Sequence, residues 1–382
     1  MTYDPERRRQ TPLADRLIEI IKANGPIGVD AYMEACLGDP EHGYYRTQAA
    51  IGAEGDFITA PEISQIFGEL IGLWAAVVWQ GMGEPGSIRL VELGPGRGTL
   101  MADALRAVRV LPGFLEAAEV LLVEPNPVLR QRQQTTLEAQ RDAGVRLAWH
   151  ETLVDIEGGP TILIANEVLD VLPARQWIAT QTGWQSRRIG LDDAGQLTFL
   201  GADPSLPTSL SPGGPAPDSW AAGDLFETRD LGTFLGGLER VAGNGPFAGL
   251  FFDYGHQGPL VGDTLQAISK QHHEHPLTSP GEADLTALVD FNALARDARA
   301  RGFAVDGAVT QGDFLGGLGI AQRASRLMAA NPAKAGEIET GVARLMAPQG
   351  MGTRFKAIGL RRGLAAPLPA LDASPGPNHQ TL

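Results

Sequence analysis

A short apolar run, Ile88-Arg89-Leu90-Val91, leads straight into Glu92-Leu93-Gly94-Pro95-Gly96-Arg97-Gly98-Thr99, and helical spacing resumes from Leu100 to Val110. A strand that enters a helix through closely spaced glycines is the opening unit of a layered α/β fold. Glycines permit positive φ and leave room for a ligand against the backbone. The helix start supplies free N–H groups. Nicotinamide and flavin sites need glycines at the first, third and sixth places, because a pyrophosphate sits on the helix N-terminus. Here the glycines fall at the first, third and fifth places, the sixth is Thr99, and an acid, Glu92, precedes the turn. That pattern suits a ligand with positive charge and no phosphate, which describes S-adenosylmethionine. Glu124, at the end of the next apolar run, is placed to accept the ribose hydroxyls of an adenosyl group.

The flanking pattern repeats. Val120 to Val123, Val145 to Trp149 and Thr161 to Ala165 are continuous apolar runs, with helical spacing from Val128 to Ala139 between the first two. Such runs predict a parallel sheet covered on both faces. A later strand, Phe247 to Phe252, ends at Asp253-Tyr254-Gly255-His256. Before the core, residues 12 to 24 and Ser64 to Val78 read as helices. Asp39 to Tyr45 reads as a turn and a short extended piece, and Gly55 to Glu62 as another turn. Residues 284 to 301 read as helical, and His272-His273-Glu274-His275 as a solvated loop, since its ligand-type residues have no second cluster at a chelating spacing. The expected division is an N-terminal helical segment and lid over 1–85, a cofactor-binding core over 86–200, an inserted loop and helix over 201–245, the rest of the core with a substrate lobe over 246–363, and a disordered tail over 364–382.

Composition narrows the function. A formal net charge of -14 leaves no broad basic surface for a phosphate backbone, so nucleic acid is excluded as a partner. No apolar run approaches a membrane span, and the N-terminus has no apolar signal core. The single cysteine, Cys36, permits neither an internal disulfide nor a cysteine-based zinc site. These features predict a cytoplasmic enzyme without a metal, of undetermined oligomeric state.

The chain resembles the MidA-like S-adenosylmethionine-dependent methyltransferases, the family that includes the mitochondrial assembly factor of respiratory complex I. The resemblance is carried by Gly55 to Gln65, Glu92 to Leu100, Asn166 to Pro173, Asp253 to His256, Ala283 to Phe291 and Met351 to Lys356, in family order over roughly residues 12 to 360. The family often has Ser where Ala60 stands and bulkier residues where Val168-Leu169 stand. The resemblance implies an α/β, Rossmann-like class I methyltransferase core with an N-terminal helical segment and an added lobe. It implies protein-arginine methylation, with a complex I subunit as substrate, and a mitochondrial matrix location if the source is eukaryotic.

Arginine is a poor nucleophile because its guanidinium stays protonated. Carboxylates can hold it in a fixed plane and keep charge on the nitrogens that do not attack. Arginine methyltransferases place a carboxylate just past the fourth strand, so Glu167 is the first candidate for the guanidinium and Asp170 the second. Asp253 is a further candidate holder and His256 a candidate proton acceptor. Glu92, Gly94, Gly96, Gly98, Glu124, Asn166 and Thr59 are the candidate cofactor contacts, Thr59 as part of a lid. Base stacking is disfavoured, since Asn166-Glu167-Val168-Leu169 lacks the Pro-Pro-aromatic wall. An assembly chaperone that keeps the fold, or a methyltransferase of small molecules, would fit the same motifs.

Overall fold

The computed structural model describes residues 7–47, 59–203, 205 and 220–372. Its centre is one sheet of seven strands: β1 (Ile88–Leu93), β2 (Ala118–Val123), β3 (Arg146–His150), β4 (Thr161–Asn166), β5 (Phe247–His256), β6 (Ala304–Thr310) and β7 (Phe355–Arg362). Their spatial order is β6-β7-β5-β4-β1-β2-β3, and a two-residue strand, Val289–Asp290, pairs with the end of β5. All neighbours are parallel except β7, which runs antiparallel to β5 and β6. The chain winds outward from β1 to β3, returns to β4 on the other side of β1, and then winds the opposite way. Carboxyl ends therefore diverge between β1 and β4, and that crevice is where open α/β sheets bind ligands.

Helices cover both faces, as the unbroken apolar strands require. Helix α1 (Pro12–Asn24) starts where the Thr11 side chain accepts the Ala14 N–H, with Pro12 in its first turn. Helix α2 (Val29–Gly38) follows it. Helix α3 (Gln65–Gly81), capped by Ser64, and α4 (Thr99–Ala107) pack on one face around Phe67, Trp74, Leu100 and Leu105. Helix α5 (Pro127–Thr136) is fixed by Asn126, whose side chain accepts the N–H groups of Val128 and Leu129. Helices α6 (Gly232–Ala242) and α7 (Phe291–Ala300) fill the opposite face with Leu235, Leu238, Phe291 and Leu294.

A third cluster forms the added lobe. Leu13, Leu17, Tyr32 and Met33 of α1 and α2 pack with Ile189, Leu197, Ala267 and Leu285, which lie on short antiparallel strands. The lobe is thus assembled from the N-terminal helices together with segments around 174–199 and 265–287. The N-terminal segment is not one unit, because α3 belongs to the core.

Several local expectations are corrected. Tyr44–Thr47 is helical, not extended. Within 284–301, Asp284–Thr286 and Val289–Asp290 are strands, and α7 begins only at Phe291 because the Asp290 carboxylate caps its N–H groups. His272–Glu274 is a strand, and the Glu274 side chain is buried within 3.7 Å of Arg9, so the segment is not a solvated loop. The start of the expected disordered tail is packed: Leu368 and Leu371 are buried in the core, and the Trp74 indole donates to the Pro369 carbonyl at 3.1 Å. Residues 373–382, most of the 201–223 loop and Gly55 to Ile58 of the expected lid lie outside the described residues. Among the described residues, no helix is long and apolar enough to cross a membrane.

Candidate active site

A cavity opens at the carboxyl ends of β1 and β4. Its walls come from four places: the glycine turn, the Asn166–Asp170 segment, Thr59 to Glu62, and a far side made by Tyr45, Tyr254, Asp284 and Thr286.

The glycine turn takes the form its spacing requires. Gly94 has φ +64° and Gly98, the N-cap of α4, has φ +81°. A side chain at Gly94 would also meet Val168 Cγ2 at 2.9 Å. Gly94→Ala is therefore expected to lower unfolding free energy by about 1–2 kcal/mol, from the left-handed conformation alone. Denaturant titration of the free protein reads this, with Gly81→Ala, which has open space around it, as control. Equal stability of the two variants would contradict the described turn.

The start of α4 carries a protein carboxylate. Thr99 Oγ1 donates to Glu62 Oε1 at 2.5 Å, and Arg97 lies 3.5 Å from Glu62 Oε2. Glu62 thus supplies the anion that a helix N-terminus favours. A second anion there, such as a pyrophosphate, would meet like charge. This is the physical counterpart of the missing sixth-place glycine.

The interior electrostatics favour a cation. Glu92 is buried in β1, burial pushes its carboxyl up to about 8, and its Oε2 has no hydrogen-bond partner. Asn166 Oδ1 and Asp170 Oδ1 are likewise buried and unpartnered on the same cavity. Buried acceptors left open are costly unless a donor arrives. An ammonium or guanidinium provides such donors, and S-adenosylmethionine carries an ammonium and a sulfonium, so the wall fits it.

Glu167 and Asp170 stand side by side in the segment after β4. Glu167 has φ +56°, rare for a residue with a side chain. Its N–H is held by the Phe252 carbonyl at 2.9 Å, and its Oε1 accepts from Asn166 Nδ2 at 2.9 Å. Burial, then the neighbouring Asp170, push its carboxyl up to about 8. Burial also raises Asp170, opposed by the Tyr254 hydroxyl and the Arg229 guanidinium. Arg229 ties the segment to the far wall, donating to the carbonyls of Asp170, Leu172, Ala287 and Leu288 at 2.6–3.2 Å.

Glu92, Gly94, Gly96, Thr59, Asn166, Glu167 and Asp170 therefore meet on one cavity. Gly98, which caps α4, is not on its wall. Three other candidates differ from expectation. Asp253 is fully buried off the cavity wall, and its oxygens accept the N–H groups of Leu169, Asp170 and Tyr254 at 2.8–3.1 Å, so it holds backbone rather than a guanidinium. His256 lies two residues, roughly 7 Å, beyond Tyr254. There β5 pairs with Val289–Asp290, and the imidazole bonds the Gly258 carbonyl and lines a separate pocket with Glu227 and Asp290. Glu124 is also off the wall. It accepts the Asn126 N–H at 2.9 Å and the Gln133 amide at 3.3 Å, and Gln133 in turn donates to the Gly96 carbonyl at 2.8 Å. In this geometry Glu124 supports the turn through Gln133, and burial pushes its carboxyl up to about 7.

Tyr45, Glu62, Tyr254, Asp284 and Thr286 line the cavity without having been singled out from sequence. Glu62, Tyr254, Asp284 and Thr286 fall within segments that carry the family resemblance, and Tyr45 lies outside them. Only the added lobe brings Tyr45 to Asp284, where its hydroxyl lies 2.8 and 2.9 Å from the two carboxylate oxygens.

Comparison with known proteins agrees with this architecture. A family model of S-adenosyl-L-methionine-dependent methyltransferases matches residues 70–309. The chain is 36% identical to the rat (Rattus norvegicus) protein arginine methyltransferase NDUFAF7, mitochondrial, over 92% of this chain and 84% of the relative. It is 37% identical to the Drosophila melanogaster homolog over 93% and 86%. A crystal structure of a COG1565 superfamily member from Burkholderia thailandensis bound to S-adenosyl-homocysteine superposes with a TM-score of 0.80, 28% identity, and coverage of 96% and 97%. With the glycine turn, the strand order and the acidic crevice in place, these matches make the chain a member of the S-adenosyl-L-methionine-dependent methyltransferase family.

Proposed function

We propose that this methyltransferase acts on a guanidinium nitrogen of arginine in a protein substrate. The observation that carries the reading is the pair Glu167 and Asp170, set together at the carboxyl edge of β4 on the same cavity as Glu92 and the glycine turn. The names of the relatives, protein arginine methyltransferases, support it. We take the substrate to be a subunit of a respiratory complex I, following the family resemblance. The site of action is then the cytoplasm, or the mitochondrial matrix in a eukaryotic source.

S-adenosylmethionine supplies an electrophilic methyl group beside a positively charged sulfur. In our assignment Glu92 pairs with its ammonium, the Gly94–Gly98 turn lies against its backbone-facing side, and Asn166 and Thr59 complete the contacts. Glu167 and Asp170 grip the substrate guanidinium and draw positive charge toward the nitrogens they touch. The remaining nitrogen is left to attack, held in line about 3 Å from the methyl carbon. Burial of Glu92 and Asp170 in the wall strengthens their ionic contacts.

The test is transfer of labelled methyl from S-adenosylmethionine to proteins of a lysate lacking this enzyme, followed by acid hydrolysis. Label should be recovered in methylated arginine. Label found only in base-labile esters or in small molecules would rule the arginine reading out.

A further inference from the structure

Gln133, in α5, lies behind the glycine turn and joins its own helix to three other segments. Its Nε2 donates to the Gly96 carbonyl at 2.8 Å and to Glu124 Oε2 at 3.3 Å. Its Oε1 accepts the indole N–H of Trp149, on β3, at 2.9 Å. The residue is fully buried, and both ends of its amide have partners. Its stem also packs under the turn, where a Cβ on Gly98 would stand 3.4 Å from Gln133 Cγ. Gly96 lines the cavity but Gln133 does not, so Gln133 approaches the turn from its far side.

The direction of this amide is chemically determined. Its two ends are alike in shape and opposite in polarity, since the oxygen accepts and the nitrogen donates. An indole N–H can only donate, so Trp149 takes the oxygen. The nitrogen is then turned toward the Gly96 carbonyl and the Glu124 carboxylate. Reversing the amide would set N–H against N–H at Trp149 and oxygen against oxygen at Gly96 and Glu124. All three bonds would be lost in a buried place, where unmet polar groups are costly.

We propose that Gln133, oriented by Trp149, is a positioning residue for S-adenosylmethionine, fixing the Gly96 wall of the cavity and the Glu124 carboxylate relative to one another. The inference concerns the cofactor alone and does not depend on which nucleophile is methylated. Without the amide the turn samples more than one arrangement, and affinity falls by the fraction of time spent in the one that binds. A cofactor that has bound restores that arrangement, so transfer then proceeds as before. The signature is a raised KM for S-adenosylmethionine with kcat kept.

Variants of the full chain test this, with S-adenosylhomocysteine as the probe in isothermal titration. Gln133→Met keeps an unbranched buried side chain and removes the amide. Affinity should weaken about tenfold, the equivalent of roughly one hydrogen bond. Trp149→Phe leaves the amide but removes the donor that orients it, and should weaken binding about threefold. The double variant should bind no worse than Gln133→Met, because Trp149 acts only through the amide. In label transfer to proteins of a lysate lacking this enzyme, whichever residue receives the label, Gln133→Met should raise the KM for S-adenosylmethionine about tenfold with kcat within about twofold. The natural chain gives a further readout that does not need Gln133 altered. Exchange of the Trp149 indole proton, assigned by NMR with Trp149→Phe, should slow about tenfold or more when S-adenosylhomocysteine saturates the protein. Unchanged affinity in Gln133→Met, single losses that multiply in the double variant, a loss of kcat with KM kept, or indole exchange unaffected by ligand would each overturn the proposal.

Discussion

Glu167→Gln is expected to lower methyl transfer to protein arginine by about a thousandfold while S-adenosylhomocysteine affinity stays within about threefold. The asymmetry follows from position. Glu167 lies in the segment after β4, with its backbone held by Phe252 and its side chain enclosed, whereas the glycine turn and Glu92 are carried by β1. Gln keeps the shape but replaces an anion with a dipole that presents one acceptor and two donors. A guanidinium entering that site would meet N–H groups where it needs oxygens. Removing one partner of a desolvated, hydrogen-bonded charge pair costs about 3–5 kcal/mol, and ~4 kcal/mol corresponds to about a thousandfold in rate. Label transfer and isothermal titration on the same preparation separate the two effects. Parallel loss of both would mean that Glu167 serves the cofactor. Retained transfer would show that Glu167 does not hold the guanidinium.

Affinity for S-adenosylhomocysteine should weaken about a hundredfold from pH 8.5 to pH 6, and Glu92→Gln should remove most of that dependence. The cause is burial, which pushes the Glu92 carboxyl up to about 8 with no partner on Oε2. Pairing with the ligand ammonium requires the ionised form. Below pH 8 each unit costs about 1.4 kcal/mol, or tenfold, because the carboxyl must first lose its proton. The sign for the free protein is the reverse. A carboxyl raised in the folded state contributes stability that is complete below its ordinary value and is lost as pH rises through about 8. The melting temperature of the free protein should therefore fall over this range while the ligand-induced increase grows. Titrations in buffers of different ionisation enthalpy should report release of about one proton to the buffer per ligand bound near pH 7. A flat affinity profile in the unaltered protein would show that Glu92 does not meet the ammonium.

Strands and the cofactor turn were legible because their signals are local. Continuous apolar runs from β1 to β5 and the spacing of Gly94, Gly96 and Gly98 depend on residues within a few positions of each other. What escaped depends on parity and distance. Asp253 and His256 follow a strand that ends at the right edge, which made both plausible ligands. The strand instead continues to His256, so Asp253 turns into the backbone of the next segment and His256 is carried past the cavity. The run Asp284-Leu285-Thr286-Ala287-Leu288-Val289 has apolar residues that satisfy two periodicities, and pairing with Gln266–Ser269 selects the strand. That choice puts Asp284 and Thr286 on one face, two residues apart, toward Tyr45 and Tyr254. Glu62 carries no signal of its own, since its role appears only when Thr99 and Arg97 close on it.

We propose that the acidic crevice holds an arginine side chain against S-adenosylmethionine. Quantitative mass spectrometry of arginine methylation tests it most directly, comparing cells that contain this protein, cells that lack it, and lacking cells given back either the natural chain or Glu167→Gln. At least one protein should show a methylarginine that disappears with the gene, returns with the natural chain, and does not return with Glu167→Gln. An unchanged set of methylarginines across all four, or full restoration by Glu167→Gln, would contradict it.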